Sequence, residues 1–348
     1  MSTHLVIIEA VRAPLVLDQA GGLADGTRVG ELLSPIVDAI LTRSRTRPEQ
    51  IDEIVVCGTA RNTVEALASK AVDLQSASGT TALEERARVG SAPLTLVAAV
   101  RGRESPFPAS TPPVAPMGVE SVSSTVARSV ARAVAADAAG DFVGEIAPVV
   151  LAGTNGWVLE RDEVGAFDRD RLSVRVGAGS GGSAALLETD RPPSALAPPA
   201  FGAAALLVCA EDRAVELGFR PLARILASVG ERSTTDTVWE VQERVTSRAL
   251  ARAGLLTSQL DHVEIDERFS QAPEVWGRRF RVHEDLVNPR GGALALGVPG
   301  LASGLRLVVT VINGLRTSGG VFGLVIAHEL DDTVRAIVVE RTDQVSAT

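Results

Sequence analysis

Few side chains in this chain of 348 residues have the chemistry of a nucleophile, an acid–base group or a soft metal ligand. The four histidines and two cysteines are scattered, and no set of them has the short spacing that is typical of a zinc site. Cys57 and Cys209 each lie in an apolar run that indicates a buried strand. We therefore expect two buried thiols in a reducing compartment, without a disulfide and without a metal.

The most unusual stretch covers residues 286–307, where five glycines alternate with small apolar residues. No charged residue occurs between Arg290 and Arg306. Such a run indicates a backbone that closely approaches other chain segments in a buried place. From residue 302 the apolar residues recur at helical spacing, and Gly319-Gly320 is typical of a helix end.

In this stretch the chain reads Asn288-Pro289-Arg290-Gly291-Gly292-Ala293-Leu294-Ala295-Leu296-Gly297-Val298-Pro299-Gly300-Leu301-Ala302-Ser303-Gly304. It resembles the signature of the thiolase family, Asn-x-x-Gly-Gly-x-x-Ala-x-Gly-His-Pro followed by Gly-Ala-Ser-Gly and a long helix. Residues 263–269, Val-Glu-Ile-Asp-Glu-Arg-Phe, resemble the family's Val-Glu-x-Asn-Glu-Ala-Phe. Residues 6–14 resemble its opening strand and Arg-Thr-Pro turn. The resemblance is weakest over residues 60–200.

The resemblance implies a cysteine nucleophile, an activating histidine, a second cysteine and an oxyanion hole. All four positions are changed in this chain. Counting back from residues 118–121, which match the family's Gly-Met-Glu-Ser, places the nucleophile's Cys-Gly-Ser-Gly segment on residues 90–93, which contain no cysteine. The family's histidine aligns with Val298, its oxyanion-hole asparagine with Asp266 and its second cysteine with His328. Valine transfers no proton and a carboxylate repels an oxyanion, so the family's Claisen chemistry is not expected.

Three residues are candidates for a rebuilt catalytic site. His328 follows a predicted strand and is a candidate general base, oriented by Asp266 or Glu267. Ser91, beside the lost nucleophile, is a candidate oxygen nucleophile if a base reaches it, and a shift of register puts Ala92 there instead. Structural interpretations compete with these roles, since a turn residue and an N-cap serine would look the same.

The resemblance also predicts which residues line a substrate pocket. They share the two segments that match the thiolase signature, and they are Glu267, Phe269, Gly297, Val298 and Pro299. No cofactor is predicted, and a coenzyme A thioester is the one ligand that the resemblance implies. Much of the family's coenzyme A cradle lies in an inserted region that is short in this chain, which argues against ordinary coenzyme A binding.

An internal repeat organises the elements that would position these residues. Residues 29–41 carry apolar residues at helical spacing, and a turn with Asp52 and a buried strand follow. The stretch from residue 239 to residue 265 repeats this order, with Asp261 in the turn. Strands that alternate with helices predict an α/β architecture with mostly parallel strand pairing.

The resemblance gives this repeat a fold, a five-layer αβαβα arrangement of two βαβαβαββ halves. The first half is predicted at residues 1–121, closed by a strand at 202–212, and the second at 213–348. Residues 122–201 are predicted to form a shortened insertion, with loops at 106–116 and 177–199 that are rich in proline, glycine and serine. A dimer, with an identical or a different partner chain, is expected from the family.

Composition excludes two broad classes of function. The formal net charge of −9 argues against nucleic-acid binding, which requires a basic surface. No apolar run is long enough to cross a membrane and no signal peptide is recognised, so a cytoplasmic protein is expected.

Two functions remain open from the sequence. The first is a degenerate thiolase-like protein of acyl-CoA and lipid metabolism, a pseudoenzyme that is a scaffold, a regulatory subunit or an acyl-thioester binder. The second is a divergent acyltransferase or C–C lyase that uses a site rebuilt around His328, Asp266 and Ser91. In either case a partner chain, if there is one, could supply the missing second cysteine.

Overall fold

In a computed structural model of the chain, the described residues are 4–17, 29–57, 72–75, 79–88, 92–101, 119–150, 158–163, 196–234 and 237–343. Ser91 lies outside them, as do the predicted loop at 106–116 and most of the predicted loop at 177–199. The model has no helix, within the described ranges, that is long and apolar enough to cross a membrane.

The strands are rich in apolar and β-branched residues, which favour a pleated and buried surface. They are β1 (Leu5–Arg12), β2 (Val16–Leu17), β3 (Glu53–Cys57), β4 (Val72–Gln75), β5 (Thr95–Val100), β6 (Val149–Val150), β7 (Val158–Leu159), β8 (Ala200–Phe201), β9 (Ala203–Ala210), β10 (Ala223–Arg232), β11 (His262–Ile265), β12 (Phe322–His328) and β13 (Thr333–Arg341).

The helices follow the predicted 3.6-residue periodicity. They are α1 (Val29–Ser44), α2 (Gly79–Arg88), α3 (Val119–Ala139), α4 (Glu211–Glu216), α5 (Val238–Ala253), α6 (Ala272–Phe280), α7 (Ala293–Leu296) and α8 (Ser303–Ser318). Local capping fixes their ends, as in α5. There the Thr237 hydroxyl accepts a hydrogen bond from the Glu240 N–H, and Gly254 ends the helix with φ of 69°.

Nine of the described strands form one sheet in the order β11-β12-β13-β10-β1-β9-β5-β3-β4. Reading outward from the β1–β10 junction, each half has the same order, β1-β9-β5-β3 in the first and β10-β13-β12-β11 in the second. Both halves also carry a register shift in the strand next to the junction, between Ile7 and Glu9 in β1 and between Ile225 and Ala227 in β10. The duplication predicted from the sequence is therefore confirmed.

The prediction of mostly parallel pairing is wrong for the described strands. Only β3–β4, β3–β5 and β11–β12 are parallel, and the five other pairs of the main sheet are antiparallel. The closing strand of each half accounts for this, because β9 and β13 return antiparallel to both of their neighbours. In the second half the return takes only a short turn, residues 329–332, which leaves no room for a crossover helix.

Three apolar cores separate the layers. Helix α1 covers the outer face of the first half and α5 covers the outer face of the second half. Between the halves, α2 and α8 pack against the inner faces of both. The strands of each half of the sheet form one layer. The order of layers is therefore helix, sheet, helix, sheet, helix, as predicted.

The turn aspartates of the repeat have the same role in both halves. Asp52 accepts a hydrogen bond from the N–H of Leu94 at 3.0 Å, just before β5. Asp261 accepts from the N–H of Val321 at 2.7 Å and from that of Phe322 at 3.0 Å, at the start of β12. Each carboxylate therefore joins the turn before one parallel strand to the beginning of its neighbour.

A buried ion network joins the insertion to both halves. Glu145, which follows α3, accepts from Arg12 Nε at 2.6 Å and from Arg290 Nη2 at 3.0 Å. Arg12 also makes a bidentate pair with Asp162, at 2.6 and 2.7 Å. The ring of Phe142 lies 5.3 Å from each of the two guanidinium carbons. Burial alone would raise the pKa of Glu145, but Arg290 and Arg12 outweigh it and the pKa is lowered.

We expect Glu145→Gln to lower the free energy of unfolding by about 3–5 kcal/mol, since it leaves buried guanidinium groups without a full counter-charge. Urea denaturation at neutral pH measures this. The matched control is Glu284→Gln, whose ion pair with Arg128 is exposed, and its effect should stay within about 1 kcal/mol. Equal small effects for both variants would contradict the structural role of the network.

The pH dependence of Glu145 has a definite sign. Its pKa is lower in the folded than in the unfolded state, so its stabilisation is complete above the unfolded value of about 4.3 and is lost as pH falls through the folded value. The difference in stability between wild type and Glu145→Gln should therefore be large at neutral pH and shrink in acid.

Candidate functional site

The glycine-rich run lies between β11 and α8 and is buried along its length. The Asn288 side chain fixes its start, since Oδ1 accepts from the Ile265 N–H at 2.7 Å and Nδ2 donates to the Ile265 carbonyl at 2.9 Å. Gly291 has φ of +77°, and a Cβ there would lie 2.6 Å from the Ser129 carbonyl oxygen. The predicted close approach is thus an approach to α3 of the insertion.

Val298 lies in an apolar environment. It is 0% exposed, and its cluster contains Val126, Ala293 and Leu294. Its N–H donates to the Pro198 carbonyl at 2.8 Å, and its carbonyl accepts from the Ala200 N–H at 3.0 Å. The position that resembles the family's histidine is therefore packed and holds no group that transfers a proton.

The five predicted pocket residues are all buried. Residues 196–200 of the chain itself cover part of the group, because Leu196 forms a β-bridge with Phe269 and Pro199 forms one with Val298. Glu267 faces a different space, a cleft beside α3. The structure therefore divides the predicted pocket between two environments.

Asp266 and Arg268 form a buried ion pair at the end of β11. Asp266 accepts from the Arg268 N–H at 3.0 Å and from its Nη2 at 3.1 Å. The same Nη2 donates to the His328 carbonyl at 2.6 Å. Arg268 is 0% exposed and stands where the family segment has alanine. Its guanidinium group therefore lies between the two positions predicted to act together.

His328 ends β12 and points to the outer layer. Leu324 and Ile326 face the outer core with α5, whereas Val325 and Ala327 face the central core, so alternation directs His328 outward. Its ring lies 6.5 Å from that of Trp239 in an edge arrangement, and neither ring nitrogen has a partner within the described structure. Burial lowers the pKa of His328 to about 4, with Asp266 opposing and Arg268 adding to this effect. The imidazole is therefore neutral at physiological pH.

Glu329, which no sequence pattern singles out, contacts the amino end of α2. It accepts from the hydroxyl of Thr81 at 2.9 Å and from that of Thr80. Arg335 donates from Nε to Glu329 at 3.0 Å and also pairs with Glu84. Burial lowers the pKa of Arg335 to about 10. This cluster joins α2 of the first half to the β12–β13 turn of the second.

The nucleophile candidate Ser91 lies outside the described residues. Ala92, the alternative in the shifted register, is described and leads into β5, beyond the carboxyl end of α2. The opposite, amino end of this ten-residue helix contacts Glu329. Most of α2, with a rise of about 1.5 Å per residue, therefore lies between the helix end that contacts Glu329 and the end that is nearer to Ala92 in sequence.

The internal repeat contains a signal that places this helix better than counting does. Ala302-Ser303-Gly304 leads into α8, and the chain has Ala77-Ser78-Gly79 directly before α2. Gly304 allows the two helices to approach, since a Cβ there would lie 2.5 Å from Thr80 Cγ2. The family's Cys-Gly-Ser-Gly segment then falls on residues 76–79, and its cysteine on Ser76, which lies outside the described residues.

The two cysteines lie in different cores. Cys209 of β9 belongs to the outer core with α1, and burial raises the pKa of its thiol to about 12, so it stays protonated at neutral pH. Cys57 ends β3 and belongs to the central core. Within the described residues no group of three histidine, cysteine, aspartate or glutamate side chains is arranged to hold a metal ion.

Comparison with known proteins agrees with this geometry. Residues 219–341 match the family described as Thiolase, C-terminal domain. Acetyl-CoA acetyltransferase IB of Candida tropicalis is 32% identical over 208 residues, which are 57% of this chain and 49% of that protein. Steroid 3-ketoacyl-CoA thiolase FadA6 of Mycobacterium tuberculosis is 34% identical over 142 residues, which are 40% of this chain and 34% of that protein.

The solved structure of human mitochondrial 3-ketoacyl-CoA thiolase is similar over 98% of this chain and 99% of its own, with a TM-score of 0.81 and 19% identity. Residues 219–341 belong to the family of thiolase C-terminal domains, and the chain as a whole has the thiolase fold. The family match and the sequence relatives confirm the predicted resemblance to thiolases, and the structural similarity confirms the predicted thiolase fold. The matched sequence spans half or less of each of the two curated relatives named above.

The thiolase-like segment 266–268 gives a test of its ion pair. We expect Arg268→Ala to lower the free energy of unfolding by about 3–5 kcal/mol, because Asp266 is left as an unpaired buried charge. The double variant Asp266→Asn with Arg268→Ala, which restores the family's Asn-Glu-Ala-Phe, should recover most of that loss. Denaturation of both single variants and the double variant gives the coupling energy, and simple additivity would contradict the pair.

The contribution of Glu267 to stability should depend on pH with the opposite sign to that of Glu145. Burial raises the pKa of Glu267, although hydrogen bonds from Asn288, Ser129 and the Leu294 N–H favour its ionised form. A raised folded pKa means that stability falls as pH rises from the unfolded value of about 4.3 through the folded value. Glu267→Gln should remove this decline, as measured by urea titrations between pH 4 and 8. The prediction would be contradicted if the free energy of unfolding rose over that range in the wild type but not in Glu267→Gln.

Proposed function

We propose that this thiolase-superfamily chain does not catalyse Claisen condensation or thiolysis and acts as a scaffold, regulatory or acyl-thioester-binding subunit. The observation that carries the proposal is the buried guanidinium of Arg268. It contacts Asp266 at 3.1 Å and the His328 carbonyl at 2.6 Å, at the positions that resemble the oxyanion-hole asparagine and the second cysteine.

The thiolase reaction requires a thiolate to accept the acyl group and a base to activate it. In this chain the base position is Val298, which is packed among aliphatic side chains. Glu329, at the amino end of α2, accepts hydrogen bonds from Thr81 and Arg335. Its carboxylate would repel a thiolate or an oxyanion formed beside it. These substitutions support a fold that is retained while the family's chemistry is lost.

The names of similar proteins support an acyl thioester as the ligand. The sequence relatives are an acetyl-CoA acetyltransferase and a 3-ketoacyl-CoA thiolase, and a solved human thiolase structure with the same fold is a complex with CoA. We infer that this chain takes part in acyl-CoA metabolism, as a homodimer or paired with an active thiolase-like subunit.

A second candidate function is a divergent acyltransferase or C–C lyase centred on His328 and Asp266. Two observations favour it. His328 is neutral with both ring nitrogens unpartnered, and Arg268 keeps Nε and Nη1 without acceptors among the described residues. Against it, the carboxylate of Asp266 is held by Arg268, so the predicted orienting role toward His328 is already taken.

The test is intact-mass spectrometry of the protein after incubation with short and long acyl-CoAs, with free coenzyme A assayed in the same tubes. An active acetyl-CoA acetyltransferase is the positive control. We expect no acyl adduct and no coenzyme A release, because no described group provides an activated thiolate. Coenzyme A release that His328→Ala abolishes, with the fold intact by circular dichroism, would overturn the first proposal in favour of the second.

A further inference from the structure

A cleft of about 340 Å³ lies between α3 of the insertion and α6 of the second half. Its volume is near the lower end of the range for small-molecule sites, about 300–1,000 Å³. The side chains that line it come from both helices and from the turn after α6, and they are Ser124, Thr125, Arg128, Ser129, Arg132, Glu267, Pro273, Glu274, Gly277, Arg278, Val282, Glu284 and Val287. The lining is mostly polar, unlike that of a lipid or acyl-chain site.

The carboxyl group of Glu267 lies at the inner end of this cleft. Glu267 is only 4% exposed, and Ser129 and the Leu294 N–H donate to it at 2.7 and 3.2 Å. Its hydrogen-bond partners among the described residues, Asn288, Ser129 and the Leu294 N–H, are uncharged donors. The other buried carboxylates that the structure describes, such as Asp162, Asp266 and Glu329, pair with arginine.

A buried carboxyl group without a counter-cation is unusual, because an unpaired charge is expensive to bury. A ligand with a protonated amine would supply the missing counter-charge and would improve on the neutral donors. The inner end of the cleft therefore has the chemistry of an ammonium site.

Three arginines, Arg128, Arg132 and Arg278, are part of the lining. Arg278 is 79% exposed in its side chain and, among the residues that the structure describes, pairs with Glu274, one turn earlier on the same helix. Arg128 pairs at 2.6 Å with Glu284, whose side chain is 65% exposed. Exposed pairs of this kind contribute little and exchange readily for another anion. A carboxylate or phosphate at the mouth of the cleft would meet two guanidinium groups that present planar donor edges.

We propose that the α3–α6 cleft binds a small zwitterion, with an ammonium group against Glu267 and an anionic group at Arg128 and Arg278. The class includes amino acids with separated charges. The inference goes beyond the proposed function, since it concerns other side chains than Val298, Arg268 and His328. Its outcome and that of the acyl-CoA assay are therefore independent.

Isothermal titration calorimetry of the whole protein tests the proposal with β-alanine, γ-aminobutyrate and ε-aminocaproate as probes. Butyrate and butylamine are the single-charge controls. We expect at least one amino acid of the series to bind, with both single-charge compounds weaker by about tenfold or more, or about 1.4 kcal/mol. Equal binding of the zwitterion and butyrate would overturn the ammonium site, and no binding of any zwitterion would overturn the proposal.

Neighbouring arginines on α6 provide a matched pair of variants. Arg278→Gln should weaken binding about tenfold, whereas Arg279→Gln should leave it unchanged, because Arg279 pairs with Glu243 and faces a different cleft between α5 and α6. Glu267→Gln should abolish binding. If Glu267→Gln does not fold, the comparison of Arg278→Gln with Arg279→Gln decides, and equal effects of these two variants would reject the site.

Discussion

The structure depends on one buried carboxylate, Glu145, which lies between Arg12 and Arg290. Arg12 belongs to the opening strand, Glu145 to the insertion and Arg290 to the glycine-rich run, so the three charges hold three distant parts of the chain together. Burying charges is costly, and the cost is recovered only when every charge is paired in good geometry. The bidentate Arg12–Asp162 pair meets that requirement, and the Phe142 ring lies 5.3 Å from the carbon of each guanidinium group.

Other buried arginines follow the same rule in the region that resembles the thiolase catalytic centre. Arg268 pairs with Asp266, and Arg335 pairs with Glu329 and Glu84. A catalytic centre needs groups that remain available to a substrate, whereas a stable core needs its charges paired within the protein. In this chain Arg268 and Arg335 have their charges paired within the protein. This pairing is consistent with the proposal that the thiolase fold is retained without the family's chemistry.

The alternation of side chains along β12 decides which core each of its residues faces. His328 continues the outward series of Leu324 and Ile326 and meets Trp239, and the following residue, Glu329, meets the amino end of α2. The resemblance predicts that His328 stands where the family has its second cysteine, but it is the side chain of the next residue, Glu329, that reaches the neighbouring half. A difference of one residue at a strand end thus moves a group from one layer to another.

The sequence by itself determined the duplicated α/β fold and its family. Both follow from local patterns, which can be recognised without knowledge of tertiary contacts. These patterns are the helical and strand periodicities, the paired turn residues Asp52 and Asp261, and the run from Asn288 to Gly304. The sequence also showed that Val298 replaces the signature's histidine.

Only the tertiary structure decided the strand directions, the Glu329 cluster and the partners of Glu145 and Glu267. Glu145 lies 133 residues from Arg12 in sequence, and Thr81 lies 248 residues from Glu329. No periodicity links residues so far apart. Their pairing follows from how two halves and an insertion pack, because burial selects, among many charged residues, the few that must find a partner.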